Sequence, residues 1–152
     1  MPRFPQHGGC FCGDIRYVLN EDPLTLYACH CTDCQRQTGS SFVLTMTARR
    51  EAVEIVEGEL LEYSIELPDG RRKIGRFCGR CSTRILGVPA RFPTLVNLRP
   101  GTLDDTSWVS PIGHIWTRSA QPWIRIPDDA LSFARQPDDF MVLVRAWKER
   151  TT

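Results

Sequence analysis

Seven cysteines carry the chemistry of this sequence, and they fall in three groups. The densest is Cys29-His30-Cys31-Thr32-Asp33-Cys34, three thiols within six residues. Cys29 and Cys31 are two apart, so an extended strand puts both side chains on one face. Cys34 follows three residues later, where a turn or a first helical turn curls back to the same point. Three sulfurs thus converge with little backbone rearrangement. Three protein ligands and an open fourth position make a reactive zinc site, whereas a structural site closes all four. Cys10 and Cys12 repeat the two-residue spacing. Cys78-Gly79-Arg80-Cys81 is a C-x-x-C knuckle. Together the last two groups supply four sulfurs, enough to close a tetrahedral ion. The seven divide into four structural and three reactive thiols.

Three other readings compete. A disulfide framework is disfavoured by the odd count and by the strain of closely spaced C-x-C bridges. In a second reading all the metal is structural, and His30, His114 or an acid closes the smaller site. An iron–sulfur cluster does not match the known cluster spacings.

Zinc held by three thiolates is over-neutralised, and so is a poor Lewis acid for making hydroxide. It suits holding an incoming thiol as thiolate at neutral pH. The expected chemistry is therefore making or breaking a bond between that sulfur and carbon. No phosphate loop, dinucleotide fingerprint or Ser-His-Asp order accompanies it. His30, between two ligands, points to the opposite strand face and reads as a packing residue. His114 reads as a satisfied structural histidine, and His7 as solvated.

The elements that must position these thiols are mostly short strands. Ile15, Tyr17 and Leu19 alternate with Arg16 and Val18. Leu24 to Ala28 is an apolar strand that delivers Cys29. Thr32 or Asp33 can cap a short helical turn that Gly39 ends. Further strands are expected at 42–47, 53–56, 60–67, 72–77, 83–88, 94–98 and 112–117, with Pro68-Asp69-Gly70 as a turn. Gly101 to Asp105 suits one helical turn with Thr102 as its cap. Trp123, among prolines, is expected to anchor a loop onto the core, and 128–138 to form a polar surface tail. Phe140, Leu143, Val144 and Trp147 share one stripe of a short C-terminal helix. The pattern indicates an all-β sandwich or half-barrel.

A chain of 152 residues suggests one domain. With 19 basic and 18 acidic side chains, the net charge of +1 offers no field for nucleic acid or an anionic membrane. No apolar run is long enough to span a bilayer. Met1-Pro2-Arg3-Phe4-Pro5 has no signal-peptide character, and metal-binding thiolates imply a reducing compartment, so a cytoplasmic location is expected. The basic run Arg71-Arg72-Lys73, with Arg76, Arg80 and Arg84, reads as a solvated hairpin face, or as the receiver of a ligand carboxylate.

GGCFCGDIRY at 8–17, CHCTDCQRQTGSSF at 29–42, FCGRCSTRI at 77–85 and the weaker HIWTRSAQPW at 114–123 resemble the glutathione-dependent formaldehyde-activating enzymes, the GFA domain. The resemblance implies a mainly β, Mss4-like sandwich of short antiparallel strands with zinc knuckles and a short C-terminal helix. It implies a structural zinc on Cys10, Cys12, Cys78 and Cys81, and a catalytic zinc on Cys29, Cys31 and Cys34. The implied activity is formation of S-hydroxymethylglutathione from formaldehyde and glutathione, a carbon–sulfur lyase reaction in its reverse sense. Glutathione would be the small-molecule partner, and a second copy of the chain is the macromolecular partner considered. The alternatives are a non-enzymatic, zinc-stabilised binding module, a use to which this fold is also put, and a related enzyme acting on a different thiol adduct. The expected domains are 1–135 for the zinc-binding part and 136–152 for a C-terminal extension with a short helix.

Overall fold

A computed structural model describes residues 2–150; Met1, Thr151 and Thr152, which the expected domain limits include, lie outside the described residues. The chain is mainly β, with two α-helices. It divides into two compact units, one built from residues up to Pro23 with Thr47–Trp108, the other from Leu24–Met46 with residues from Val109 onward.

The first unit holds a three-stranded antiparallel sheet of β1 (Gln6–Gly9), β2 (Arg16–Leu19) and β5 (Val53–Glu57) in the order β1-β2-β5. β2 alternates as the sequence reading requires: Tyr17 and Leu19 are fully buried, and Arg16 and Val18 are not. β1 escapes a reading based on apolar alternation because it ends in Gly8-Gly9. A Cβ on Gly8 would lie 2.4 Å from the Tyr17 ring, so only glycine lets the strands approach here. The same unit contains β6 (Leu60–Glu66), β7 (Arg72–Cys78), β8 (Arg84–Val88) and β9 (Leu95–Leu98), a meander in which each strand pairs antiparallel with the next. The expected turn at Pro68-Asp69-Gly70 closes its first hairpin, with Gly70 at φ +82°. The helical turn expected at 101–105 is a 3₁₀ turn at Pro100–Thr102, without a side-chain cap.

The second unit is built on β3 (Thr25–Cys29), all five residues of which are buried. β10 (Gly113–Ile115) pairs with it in parallel, and so does β11 (Leu131–Ser132) with β10. These parallel pairings depart from the antiparallel strands expected, and β11 falls in a stretch expected to be a polar tail. A two-residue strand shows no periodicity to read. β3 leads through His30 into α1 (Thr32–Thr38), and Gly39 at φ +61° ends that helix in the left-handed region. β4 (Val43–Arg49) follows, and the second unit includes it as far as Met46. The C-terminal helix α2 (Met141–Arg150) buries Leu143, Val144 and Trp147, and the Leu143 carbonyl accepts the Thr25 hydroxyl at 3.0 Å. Phe140 sets its ring edge-on to Tyr27 at 5.5 Å. The core of this unit is Tyr27, Cys29, Val43, Ile115 and Leu143. Among the described residues no helix is long and apolar enough to cross a membrane.

Candidate functional site

None of the seven cysteines forms a disulfide. They form two clusters, each confined to one unit: Cys10, Cys12, Cys78 and Cys81 in the first, and Cys29, Cys31 and Cys34 in the second. Within each, all sulfurs lie within 4.8 Å of one another. A zinc–sulfur bond of about 2.3 Å puts the sulfurs of a tetrahedral site roughly 3.8 Å apart. Cys10 and Cys12 are separated by 3.5 Å, and Cys12 and Cys78 by 3.7 Å. The donor set and its spacing fit a soft, tetrahedral ion such as zinc.

The four-sulfur cluster joins the loop after β1 to the end of β7. Cys78 is the last residue of β7, and the Ser82 N–H returns to its carbonyl at 2.9 Å, turning the knuckle. Ser82 itself sits at φ +63°. The Ile15 N–H donates to Cys10 Sγ at 3.2 Å. Burial opposes ionisation of Cys10, but that N–H and the neighbouring thiols outweigh it and hold the pKa down. The Thr83 hydroxyl, 3.1 Å from Cys81 Sγ, leads the groups that lower that thiol to about 5. For Cys12 the Asp14 N–H pulls downward, yet burial and the surrounding thiols push it up to about 12. The crowded thiols push one another's pKa values apart, because like charges this close cannot all form unaided. A dication removes that conflict.

In the three-sulfur cluster, Cys29 ends β3, Cys31 is the N-cap of α1, and Cys34 lies in its first turn. The expectation that Thr32 or Asp33 caps this helix is corrected: Cys31 Sγ accepts the Cys34 N–H at 3.3 Å. A thiolate can take the place of the usual hydroxyl or carboxylate oxygen at a helix N-terminus, where it also meets the positive end of the helix dipole. The Cys29 thiol is pushed far up, first by its bonds to Cys31 and Cys34 and then by burial. A bound cation would oppose that shift.

No fourth His, Cys, Asp or Glu donor joins this group among the described residues. His30 is fully buried and turned away from it. Its Nε2 lies 2.9 Å from His114 Nδ1, the two rings stack at 5.2 Å, and Phe42 packs against His30. The reading in which either histidine completes the cluster is therefore corrected, while the packing roles expected of both agree with their surroundings. Burial lowers the pKa of both, which favours the neutral pair, one ring donating to the other.

Other candidates fare unevenly. Arg71, Arg76 and Arg80 pair with Asp69, Glu62 and Asp14, and Arg72 approaches Glu66 at 3.9 Å, so the basic run is an ion-paired face of the first unit. The Thr38 hydroxyl donates to the Cys34 carbonyl at 2.8 Å and accepts the Ser40 N–H, so it is committed inside its own helix end. Trp123 does not anchor a loop onto the core: it is 66% exposed, with its indole N–H on Gln121. Sequence reading passed over Gln35, whose amide meets the His30 carbonyl; a glutamine on a short polar helix resembles a solvated side chain.

The family model described as glutathione-dependent formaldehyde-activating enzyme matches residues 5–119, which include both clusters and stop short of α2. No curated protein matches the chain in sequence. Among solved structures, a crystal structure of a Rhodobacter sphaeroides protein is similar, with a TM-score of 0.51 at 16% identity, covering 84% of this chain and 98% of that one. That likeness concerns the fold.

Proposed function

Because the chain belongs to the family of glutathione-dependent formaldehyde-activating enzymes, we propose that it is a zinc-dependent carbon–sulfur lyase that joins a glutathione-type thiol to a small electrophile such as formaldehyde. The observation that carries this reading is a cluster of three cysteine sulfurs which no fourth donor joins among the described residues. Cys29, Cys31 and Cys34 are the residues that would hold the reactive zinc, and Cys10, Cys12, Cys78 and Cys81 those that would hold a structural one. Zinc bound there would supply a thiol kept as thiolate near neutral pH. In the reaction a sulfur–carbon bond forms, the carbonyl π pair moves to oxygen, and the proton lost by the thiol ends on that oxygen.

The chain's own residues supply the setting. His30 and His114 keep each other occupied, which leaves the fourth position to a visitor. With the Thr38 hydroxyl and the Ser40 N–H committed to each other, a donor to the developing oxygen charge would come from other groups of the 39–41 segment or from solvent. Arg36, exposed on α1 two residues after Cys34, is the cation proposed for a glutathione carboxylate. A reducing cytoplasm would keep both clusters free of disulfides and open to metal.

The test follows S-hydroxymethylglutathione by NMR exchange in equilibrated mixtures of glutathione and formaldehyde. Zinc-loaded wild type should accelerate exchange over the spontaneous rate. Cys34→Ala, retaining the four-sulfur metal, should return it to that rate. Equal exchange with and without the wild-type protein would overturn the assignment.

A further inference from the structure

Gln35 directly follows the last thiol of the three-sulfur cluster, and its carboxamide is a junction of hydrogen bonds. Nε2 donates to the His30 carbonyl at 2.8 Å and to the Ser119 carbonyl at 2.9 Å. Oε1 accepts from Gln121 Nε2 at 3.3 Å, and Gln121 Oε1 accepts the Trp123 indole N–H at 2.8 Å. Both N–H groups of the Gln35 amide are thus used, along with one acceptor site.

The His30 carbonyl belongs to the peptide that leads into Cys31. The preceding peptide is pinned as well, since the His30 N–H donates to the Ile115 carbonyl at 3.0 Å. Between these two bonds neither peptide flanking His30 can rotate freely, and such rotation is what would swing the Cys29 and Cys31 sulfurs apart. The Gln35 backbone N–H adds a bond to the Cys31 carbonyl at 3.0 Å. One residue therefore fixes the approach to Cys31 through its side chain and the exit through its backbone. Without the side-chain amide, the His30 carbonyl, in a fully buried residue, loses that donor.

We propose that Gln35 is a positioning residue for the three-sulfur site: its amide sets the His30–Cys31 peptide plane, and with it the placement of Cys31 Sγ against Cys29 and Cys34. Through Gln121 the same amide ties the 119–123 segment, with its exposed tryptophan, to the site. This rests on the reading that the three sulfurs bind a metal ion.

Cobalt titration of the full-length protein tests it, with Cys34→Ala identifying the bands of the four-sulfur site. Gln35→Met keeps the bulk of the side chain and removes its donors. It should take the first equivalent as wild type does and bind the second about 10- to 100-fold more weakly, the range for residues supporting metal ligands. The absorption bands of that second equivalent should shift, which a merely structural role would not cause. Wild-type affinity and bands for the second equivalent would overturn the proposal. A wild-type protein that binds a single equivalent would overturn the underlying reading, and the proposal with it. Should Gln35→Met not fold, Gln121→Leu decides. It frees the Gln35 amide to turn and must weaken the second equivalent alone; an unchanged second equivalent contradicts the proposal.

Discussion

At the scale of single residues, the chain places two kinds of polar group side by side in the second unit. The thiols are crowded so that a cation favours their ionisation, and the histidines are hydrogen-bonded to each other. His30 Nδ1 is buried without a hydrogen-bond partner, so His114 is the polar partner its ring has. Replacing His114 by leucine would leave the His30 ring with neither nitrogen paired in a site closed to water. An unsatisfied buried group of this kind costs about 1–3 kcal/mol. Urea unfolding of His114→Leu should therefore show a lower midpoint at an unchanged slope. A midpoint equal to wild type would mean that His30 finds another partner or that the hydrogen bond is not formed. The thiols were legible from spacing alone, because two-residue and three-residue intervals translate directly into shared strand faces and helix turns. Gln35 was not, since nothing local distinguishes an amide that bridges two carbonyls from one in water.

At the scale of elements, α1 is the piece on which the three-sulfur cluster depends. It has seven residues, too few to be stable by propensity alone. Its ends hold it: Cys31 caps the start and Gly39, at φ +61°, stops it. A Cβ on Gly39 would meet nothing within 4 Å. The cost of Gly39→Ala is then the backbone term alone, about 1–2 kcal/mol for a non-glycine residue in the left-handed region. Chemical denaturation should show that loss, and an unchanged stability would mean that the helix end can adopt another conformation. Gly39 as a stop was readable because only glycine takes that conformation cheaply. Cys31 as a cap was not, because sulfur does not figure among the usual capping groups. The strands that alternate apolar and polar residues, such as β2, were legible for the same local reason. β1 was hidden by glycines chosen for the close approach of Tyr17, and β11 by having only two residues. The parallel pairing of β10 with β3 depends on residues far apart in sequence, which no local pattern encodes.

At the scale of the whole molecule, each of the two units holds one of the two clusters. In the first, four sulfurs join the loop after β1 to the β7–β8 knuckle across 66 residues of sequence between Cys12 and Cys78, a cross-link suited to a closed structural ion. In the second, three sulfurs stand at the end of a buried strand, with the adjacent histidines committed elsewhere. The near balance of acids and bases, with the basic hairpin ion-paired on its own unit, gives no surface field that would direct the molecule to a polyanion. The proposed thiol-binding role of the smaller cluster is tested most directly by titrating glutathione into the fully cobalt-substituted protein. A fourth sulfur joining the three-sulfur site should strengthen the sulfur-to-cobalt charge-transfer band, saturating at one thiol per chain, with no such change in Cys34→Ala. A band that stays constant through the titration, or that rises equally in Cys34→Ala, would contradict the account.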